Sequence, residues 1–354
     1  MRLGFALAAA LVCTWAHGET PFYADKLDLL HYIDADGIKQ PVTSITDWQI
    51  RREHLKANMH TVMGPFVNAD QRPPFDTEVL EEIDFPTYTR KKITFAVEDK
   101  HRLSVFLLVP KNLTAPAPAM VCPHPTYKHG KNMVVGLGNK PNRNYAEELA
   151  QRGYVTIAPD YPTFGEEAAN VYALGYQSAT AKGIWNHMRC VDFLQSLPEV
   201  SDDRIGAIGH SLGGHNTLFL GLFDKRVKVM VTSCGFNRFT KYMEGNLTGW
   251  SHDGYMPRIK SVYNVNPARM PFDFTEILGA LAPRPVYINA PVDDDNFEVT
   301  GVYDCVNAAR PIYELYDAAE KLKAVHPTCG HDFPADIREE AYAFIDAALQ
   351  HPPE

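Results

Sequence analysis

The chain has 354 residues, 45% of them hydrophobic, and carries 43 acidic side chains against 34 lysines and arginines for a formal charge of −9. That length suits one large α/β domain with decorations, although two domains would also fit. The negative charge disfavours nucleic acid or an anionic membrane surface as a partner, and beyond the first eighteen residues no stretch is long and apolar enough to cross a bilayer.

In chain order, residues 1–18 read as an export signal. Arg2 supplies the positive end, Phe5 to Val12 the short apolar run, and Ala16-His17-Gly18 the small residues of a cleavage site. The mature chain then begins near Glu19 and is expected outside the cytoplasm, secreted or periplasmic. Five cysteines remain: Cys122, Cys190, Cys234, Cys305 and Cys329. Their odd number leaves at least one free thiol in a monomer.

Residues 19–87 are expected to form an N-terminal helical extension. Its helix opens at Thr46-Asp47-Trp48-Gln49, with Thr46 or Asp47 as cap, and runs to Met63 before Gly64-Pro65 ends it. Trp48, Leu55, Met59 and Val62 share one face, which leaves Arg51, Arg52 and His54 to solvent.

From residue 88 to 354 the pattern predicts a catalytic domain. Thr89 to Val97 and Leu103 to Val109 read as a hairpin, followed by a buried strand at Ala119 to Cys122. Strands and helices then alternate. A helix at Tyr145 to Arg152 precedes a strand at Tyr154 to Ala158, and a long helix spans Ser178 to Leu197. Strands follow at Ile205 to Ile208, Val227 to Thr232 and Val286 to Asn289; a helix at Tyr313 to Glu320, a strand at Leu322 to Val325 and a helix at Ala335 to Leu349 close the chain. Such alternation predicts a mostly parallel sheet of eight strands with helices on both faces. An insertion at about 235–283 interrupts it.

The chemistry is carried by Gly209-His210-Ser211-Leu212-Gly213, a Gly-x-Ser-x-Gly pattern between a buried strand and an apolar helical stretch, Leu218 to Leu222. Strand, sharp turn and helix in this order form a nucleophile elbow, with the Ser211 hydroxyl projecting from the sheet. The N–H of Leu212, at the start of a helix, favours developing negative charge. A serine nucleophile needs a base and an acid behind it, in the order Ser, acid, His. Of the later histidines, His252, His326, His331 and His351, only His331 lies in a turn between the last strand and the last helix, at the carboxyl edge where ligands bind. The acid is expected after Val286 to Asn289, among Asp293, Asp294 and Asp295, with Asp294 the first candidate. A second oxyanion donor comes from the loop Cys122 to Gly130; Pro125 has no N–H, so Thr126 or Tyr127 must donate, and Thr126 is favoured. No Cys or carboxylate stands at ligand spacing near His124 and His129, so neither a metal nor another cofactor is expected.

On these residues the chain resembles the α/β-hydrolase superfamily, in the secreted bacterial branch close to dienelactone hydrolases, acetyl xylan esterases and prolyl-oligopeptidase-like catalytic domains. The resemblance spans roughly Tyr88 to Leu349 and rests on His124-Pro125, Gly209 to Gly214, the acidic loop at Asp294 and Gly330-His331-Asp332. It implies a triad Ser211–Asp294–His331 and hydrolysis through an acyl-enzyme. The chain has serine where dienelactone hydrolases have cysteine, and it lacks the β-propeller of the long oligopeptidases.

The expected activity is that of a secreted carboxylic ester hydrolase acting on a small-molecule or oligosaccharide ester, with polysaccharide acyl esters as plausible substrates. A serine peptidase for short peptides is the second reading, and a catalytically dead binding protein on the same scaffold a third. Tyr127, Tyr161 and Trp250 are candidates for contacting substrate, Trp250 as part of an aromatic roof, although aromatics in an insertion more often form its own small core. Finally, the histidine loop must cross the end of the strand Val227 to Thr232, which brings Cys234 and Cys329 within disulfide range; Cys305 with Cys329, or no bond, are the alternatives.

Overall fold

The computed structural model describes residues 20–67 and 69–351, so the export signal read at residues 1–18 lies outside the described residues. The extension begins with a two-stranded antiparallel ribbon, β1 (His31–Ile33) and β2 (Lys39–Pro41), which leads into α1 (Ile45–Met63). The cap of α1 is Ser44, earlier than expected: its hydroxyl accepts from Asp47 N at 3.2 Å, and Asp47 reaches back to Ser44 N at 2.9 Å. Asp47 is therefore the return half of a capping box.

The face of α1 expected in solvent is covered by residues 20–33. Arg51 is 1% exposed and His54 3%. One Arg51 nitrogen donates to the carbonyls of Asp28 and His31 at 2.6 and 2.8 Å, the other to Glu276 at 3.2 Å, and the guanidinium lies 4.2 Å from the Tyr23 ring centroid. His54 shares a 2.8 Å hydrogen bond with the Tyr23 hydroxyl. A helical wheel registers polarity and has no means of seeing a chain that wraps over the polar side. Arg51→Ala leaves Glu276 buried with only Lys26, at 3.5 Å, as counter-ion. Its expected cost is about 3 kcal/mol, the low end for breaking a buried ion pair; urea unfolding monitored by circular dichroism measures it.

Among the described residues nine strands build the main sheet, one more than the sequence suggested. In chain order they are β3 (Glu78–Asp84), β4 (Tyr88–Glu98), β5 (His101–Pro110), β6 (Ala117–Val121), β7 (Val155–Pro159), β8 (Val200–His210), β9 (Val227–Ser233), β10 (Val286–Asn289) and β11 (Leu322–Val325). They lie side by side as β11-β10-β9-β8-β6-β7-β5-β4-β3. Pairing is parallel from β11 to β7 and antiparallel from there to the β3 edge. The added strand, Glu-Val-Leu-Glu-Glu-Ile-Asp, is exposed along nearly its whole length and shows no apolar alternation. It pairs with β4 so that Glu81 faces Lys92 and Glu82 faces Lys91. Such opposite-charge cross-strand pairs select register, and a charged edge discourages further strand addition. The sheet thus recruits a strand from the extension, across the boundary expected at residue 87.

Helices cover both faces. On one side α2 (Tyr145–Gln151) and α8 (Ala335–Leu349) pack with Tyr154, Tyr287 and Phe333. On the other, α3 (Ala179–Gln195) and α4 (Leu212–Phe223) share a larger core with α1, α6 (Phe274–Leu281) and α7 (Val299–Leu315); the short α5 (Arg258–Ser261) lies in the insertion. The sequence pattern placed a helix at Tyr313 to Glu320, whereas α7 begins at Val299 and ends at Leu315. Pro311 lies inside this helix and masks its continuity in the sequence. From β6 the chain goes to β7 on one side and to β8 on the other, so the carboxyl ends of β6 and β8 open a crevice where the strand order reverses. Ligands bind at such points in α/β sheets.

Candidate active site

Ser211 occupies the turn between β8 and α4 with φ 55° and ψ −119°, a conformation that side-chain-bearing residues rarely adopt. The turn is fixed by a 2.8 Å bond from Ser211 N to Ser233 O, at the end of the neighbouring strand β9. It closes only because its flanking residues lack side chains. A Cβ on Gly209 would stand 2.2 Å from Gly213 O, and one on Gly213 would stand 2.1 Å from Pro123 O. Gly213→Ala must therefore push the β6 loop away from the elbow. We expect a loss of turnover of about tenfold to a hundredfold, the upper figure being what a 1 Å misplacement costs, with the thermal midpoint reporting any accompanying loss of stability. The N–H of Leu212 stands at the first position of α4, where no intrahelical acceptor exists.

Of the three consecutive aspartates, Asp294 is buried and Asp293 and Asp295 are exposed. Oδ1 of Asp294 accepts from Asn296 N at 2.9 Å and from Phe297 N at 3.0 Å, and both its oxygens lie 3.0 Å from His331 Nδ1. Burial works to raise its pKa, but the hydrogen bond and charge of His331, helped by the two N–H groups, outweigh it and hold the carboxyl below its ordinary value. The acid and histidine loops run together through backbone bonds, Val292 N to Pro327 O at 3.0 Å and Asp293 N to Cys329 O at 3.2 Å. The other three histidines are engaged elsewhere: His326 with Ala290 O, His252 with Gly254 N and His351 with Arg152 O.

Around the imidazole lies a polar network that sequence reasoning did not identify. Arg143 donates to Asp332 Oδ1 at 2.5 Å and to His331 O at 3.2 Å, and Asn142 donates to Asp332 Oδ2 at 2.8 Å. Asn289 donates to Ser233 Oγ at 2.8 Å and to Asp332 O at 2.9 Å. His210 packs its ring 4.8 Å from that of His331 and meets Ser233 Oγ through Nδ1 at 2.9 Å. Burial drives its pKa far down, with Arg143 and His331 adding to the effect, so this imidazole is neutral. Asn289 had a readable signal, an amide ending the apolar run Val-Tyr-Ile. Arg143 had none, because it lies in a polar loop like any solvated stretch.

The remaining candidates divide. Thr126 is exposed on the loop after β6, and its side chain pairs with Tyr255 of the insertion. That loop is braced by His124, whose Nε2 accepts from Tyr161 N at 2.9 Å while Nδ1 meets Pro125 O at 2.6 Å. Tyr127 is half-buried nearby, its hydroxyl donating to Asn139 at 3.3 Å. Tyr161 and Trp250 require correction as substrate contacts. Tyr161 is 2% exposed and bonds Thr180 through its hydroxyl, and its ring leaves no room for a Cβ at Gly183. Trp250 is 3% exposed, packed among His215, Tyr242, Phe274 and Phe297. It backs the acid loop, because Phe297 in turn lies against His331. The insertion's aromatics form a small core of their own.

The disulfide expected between Cys234 and Cys329 is also corrected, since both are free thiols. The histidine loop crosses the end of β9 three residues later than supposed: the Cys234 thiol meets the carbonyl of Asp332 at 3.3 Å, while the carbonyl of Cys329 is turned toward the acid loop.

The family model described as "Glucuronyl esterase, fungi" matches residues 97–317, a span that takes in Ser211 and Asp294 and ends before His331. The Bacillus subtilis protein YtaP is 25% identical over 78% of this chain and 94% of its own. The 4-O-methyl-glucuronoyl methylesterase of Phanerochaete carnosa is 23% identical over 93% of this chain and 82% of its own. Among solved structures, the glucuronoyl esterase from Solibacter usitatus superposes with a TM-score of 0.72 at 19% identity, covering 93% of this chain and 99% of that one. At that identity the likeness is one of fold.

Proposed function

The chain belongs to the glucuronyl esterase family of α/β-hydrolase-fold carboxylic ester hydrolases, and from that membership we propose that it cleaves esters joined to carbohydrates, with Ser211 as nucleophile, His331 as base and Asp294 as the acid that orients it. The observation that carries this reading is the hydrogen-bonded pair of buried Asp294 and half-buried His331, set at the same sheet edge as the strained Ser211 turn.

In this mechanism Asp294 holds the proton on Nδ1 of His331, which leaves a lone pair on Nε2. That nitrogen takes the Ser211 proton as Oγ attacks the ester carbonyl. The oxyanion that forms is met by the N–H of Leu212 and by a second N–H from the loop at Thr126. His331 then hands its proton to the departing alcohol, and water repeats the sequence to release the acid and restore the serine. Neutral His210 places no second positive charge beside the imidazolium that forms at His331. Tyr127, half-buried on the same loop as Thr126, is the proposed substrate contact. Residues 1–18 would direct the enzyme out of the cytoplasm; among the described residues no helix is long and apolar enough to cross a membrane.

The substrate class follows from the relatives, several of which are named for a 4-O-methyl-glucuronoyl ester. A panel of p-nitrophenyl acetate, a benzyl ester of glucuronic acid, acetylated xylo-oligosaccharide and aminoacyl p-nitroanilides tests the reading. Hydrolysis of the aryl ester and of at least one sugar ester, with the anilides untouched, is the expected result. Cleavage of the anilides alone would overturn it in favour of a peptidase.

A further inference from the structure

The network behind His331 contains more donor atoms than the hydrolysis uses. His210, Cys234 and His331 bring one ligating atom each within 4.8 Å of one another, and the first two are buried. We propose that these three residues form an inhibitory site for a borderline-soft divalent cation such as Zn²⁺, which occupies the catalytic imidazole and arrests turnover.

Three features support this site. The donors are two imidazoles and a thiol, the set that selects zinc over magnesium or calcium. Each imidazole already has a hydrogen-bond partner of the kind that orients a metal-bound histidine. Asp294 holds Nδ1 of His331, and Ser233 Oγ, itself fixed by Asn289, holds Nδ1 of His210. The approach is also short. Donors on one tetrahedral zinc stand roughly 3.3–3.6 Å apart, given bonds of about 2.0–2.3 Å, so side-chain rotations that close the widest pair by at most about 1.2–1.5 Å suffice.

Binding balances simply. The Cys234 thiol gives its proton to solvent and coordinates as thiolate, the two neutral imidazoles contribute lone pairs, and a water completes the set. The ion is an inhibitor and has no part in hydrolysis, because it holds the imidazole that would otherwise be oriented by Asp294 and accept the Ser211 proton. The loss of turnover rests on the reading of His331 as base, whereas the binding itself does not.

The test uses the chelator-treated enzyme and Co²⁺ as a spectroscopic substitute. Titration should produce a thiolate-to-cobalt charge-transfer band that saturates at one ion per chain. Zn²⁺ should displace that band and suppress aryl-ester turnover, and a chelator should restore turnover. Cys234→Ala should retain turnover and lose the band. It should also need at least about tenfold more Zn²⁺ for inhibition, since removal of a mere outer partner already costs about 10–100-fold in affinity. Absence of a thiolate band in the wild-type enzyme would overturn the proposal, and this measurement needs no variant. Unchanged Zn²⁺ sensitivity in a folded Cys234→Ala would overturn it too. A band that Zn²⁺ displaces without any loss of turnover would uphold the metal site and overturn the role of His331 instead.

Discussion

Ser211→Ala is expected to lower ester turnover on the order of a million-fold, the loss that removal of the serine causes in a serine hydrolase whose triad acts as a unit. The substitution removes one oxygen at a position whose backbone is already committed. Alanine keeps the Cβ, so the unusual φ of 55° at the elbow is neither relieved nor worsened, and the bond from N of residue 211 to Ser233 O is retained. The thermal midpoint should consequently move little. A purified, folded variant with unchanged turnover on p-nitrophenyl acetate would remove Ser211 from the chemistry.

The second large effect is expected at Asp294→Asn, about ten-thousand-fold, by analogy with the tautomer error that the same change causes in serine proteases. The local hydrogen bonds say why. Oδ1 takes the N–H groups of Asn296 and Phe297 at 2.9 and 3.0 Å. An asparagine must leave its oxygen there and turn its amide N–H₂ toward His331. The amide then donates to Nδ1, the imidazole proton moves to Nε2, and no lone pair faces the serine. Because the change is isosteric, the fold should survive. Asp293→Asn and Asp295→Asn alter exposed side chains and should behave close to wild type in the same assay. Loss of activity in either of those, with Asp294→Asn active, would place the acid elsewhere in the loop.

The parts of the molecule legible in its sequence are those where one short stretch decides its own environment. The buried parallel strands β6, β7 and β10 read as brief apolar runs because both their faces are covered. Gly209 and Gly213 announced the elbow because only glycine tolerates backbone within 2.2 Å of an added Cβ. A turn between the last strand and the last helix singled out His331. What the sequence concealed depends on chain segments far apart. Strand β3 is polar and exists through its lysine partners on β4. Arg51 and His54 look solvated until residues 20–33 fold over them. Arg143 reaches the histidine loop across 189 positions of sequence, and no local pattern marks it. Which of the three aspartates turns inward depends on the backbone N–H groups of Asn296 and Phe297 that Asp294 accepts. In each case the missing information was a neighbour, not a propensity.

Covalent trapping reads out whether Ser211 is the nucleophile activated by His331 and Asp294. The purified enzyme is treated with a fluorophosphonate, which phosphonylates only a serine hydroxyl whose proton is being taken, and is then weighed intact and peptide-mapped. One adduct per chain is expected, located on Ser211, with ester turnover lost in proportion to labelling and labelling abolished in Ser211→Ala. An adduct on another residue, or full turnover in protein labelled at Ser211, would contradict it.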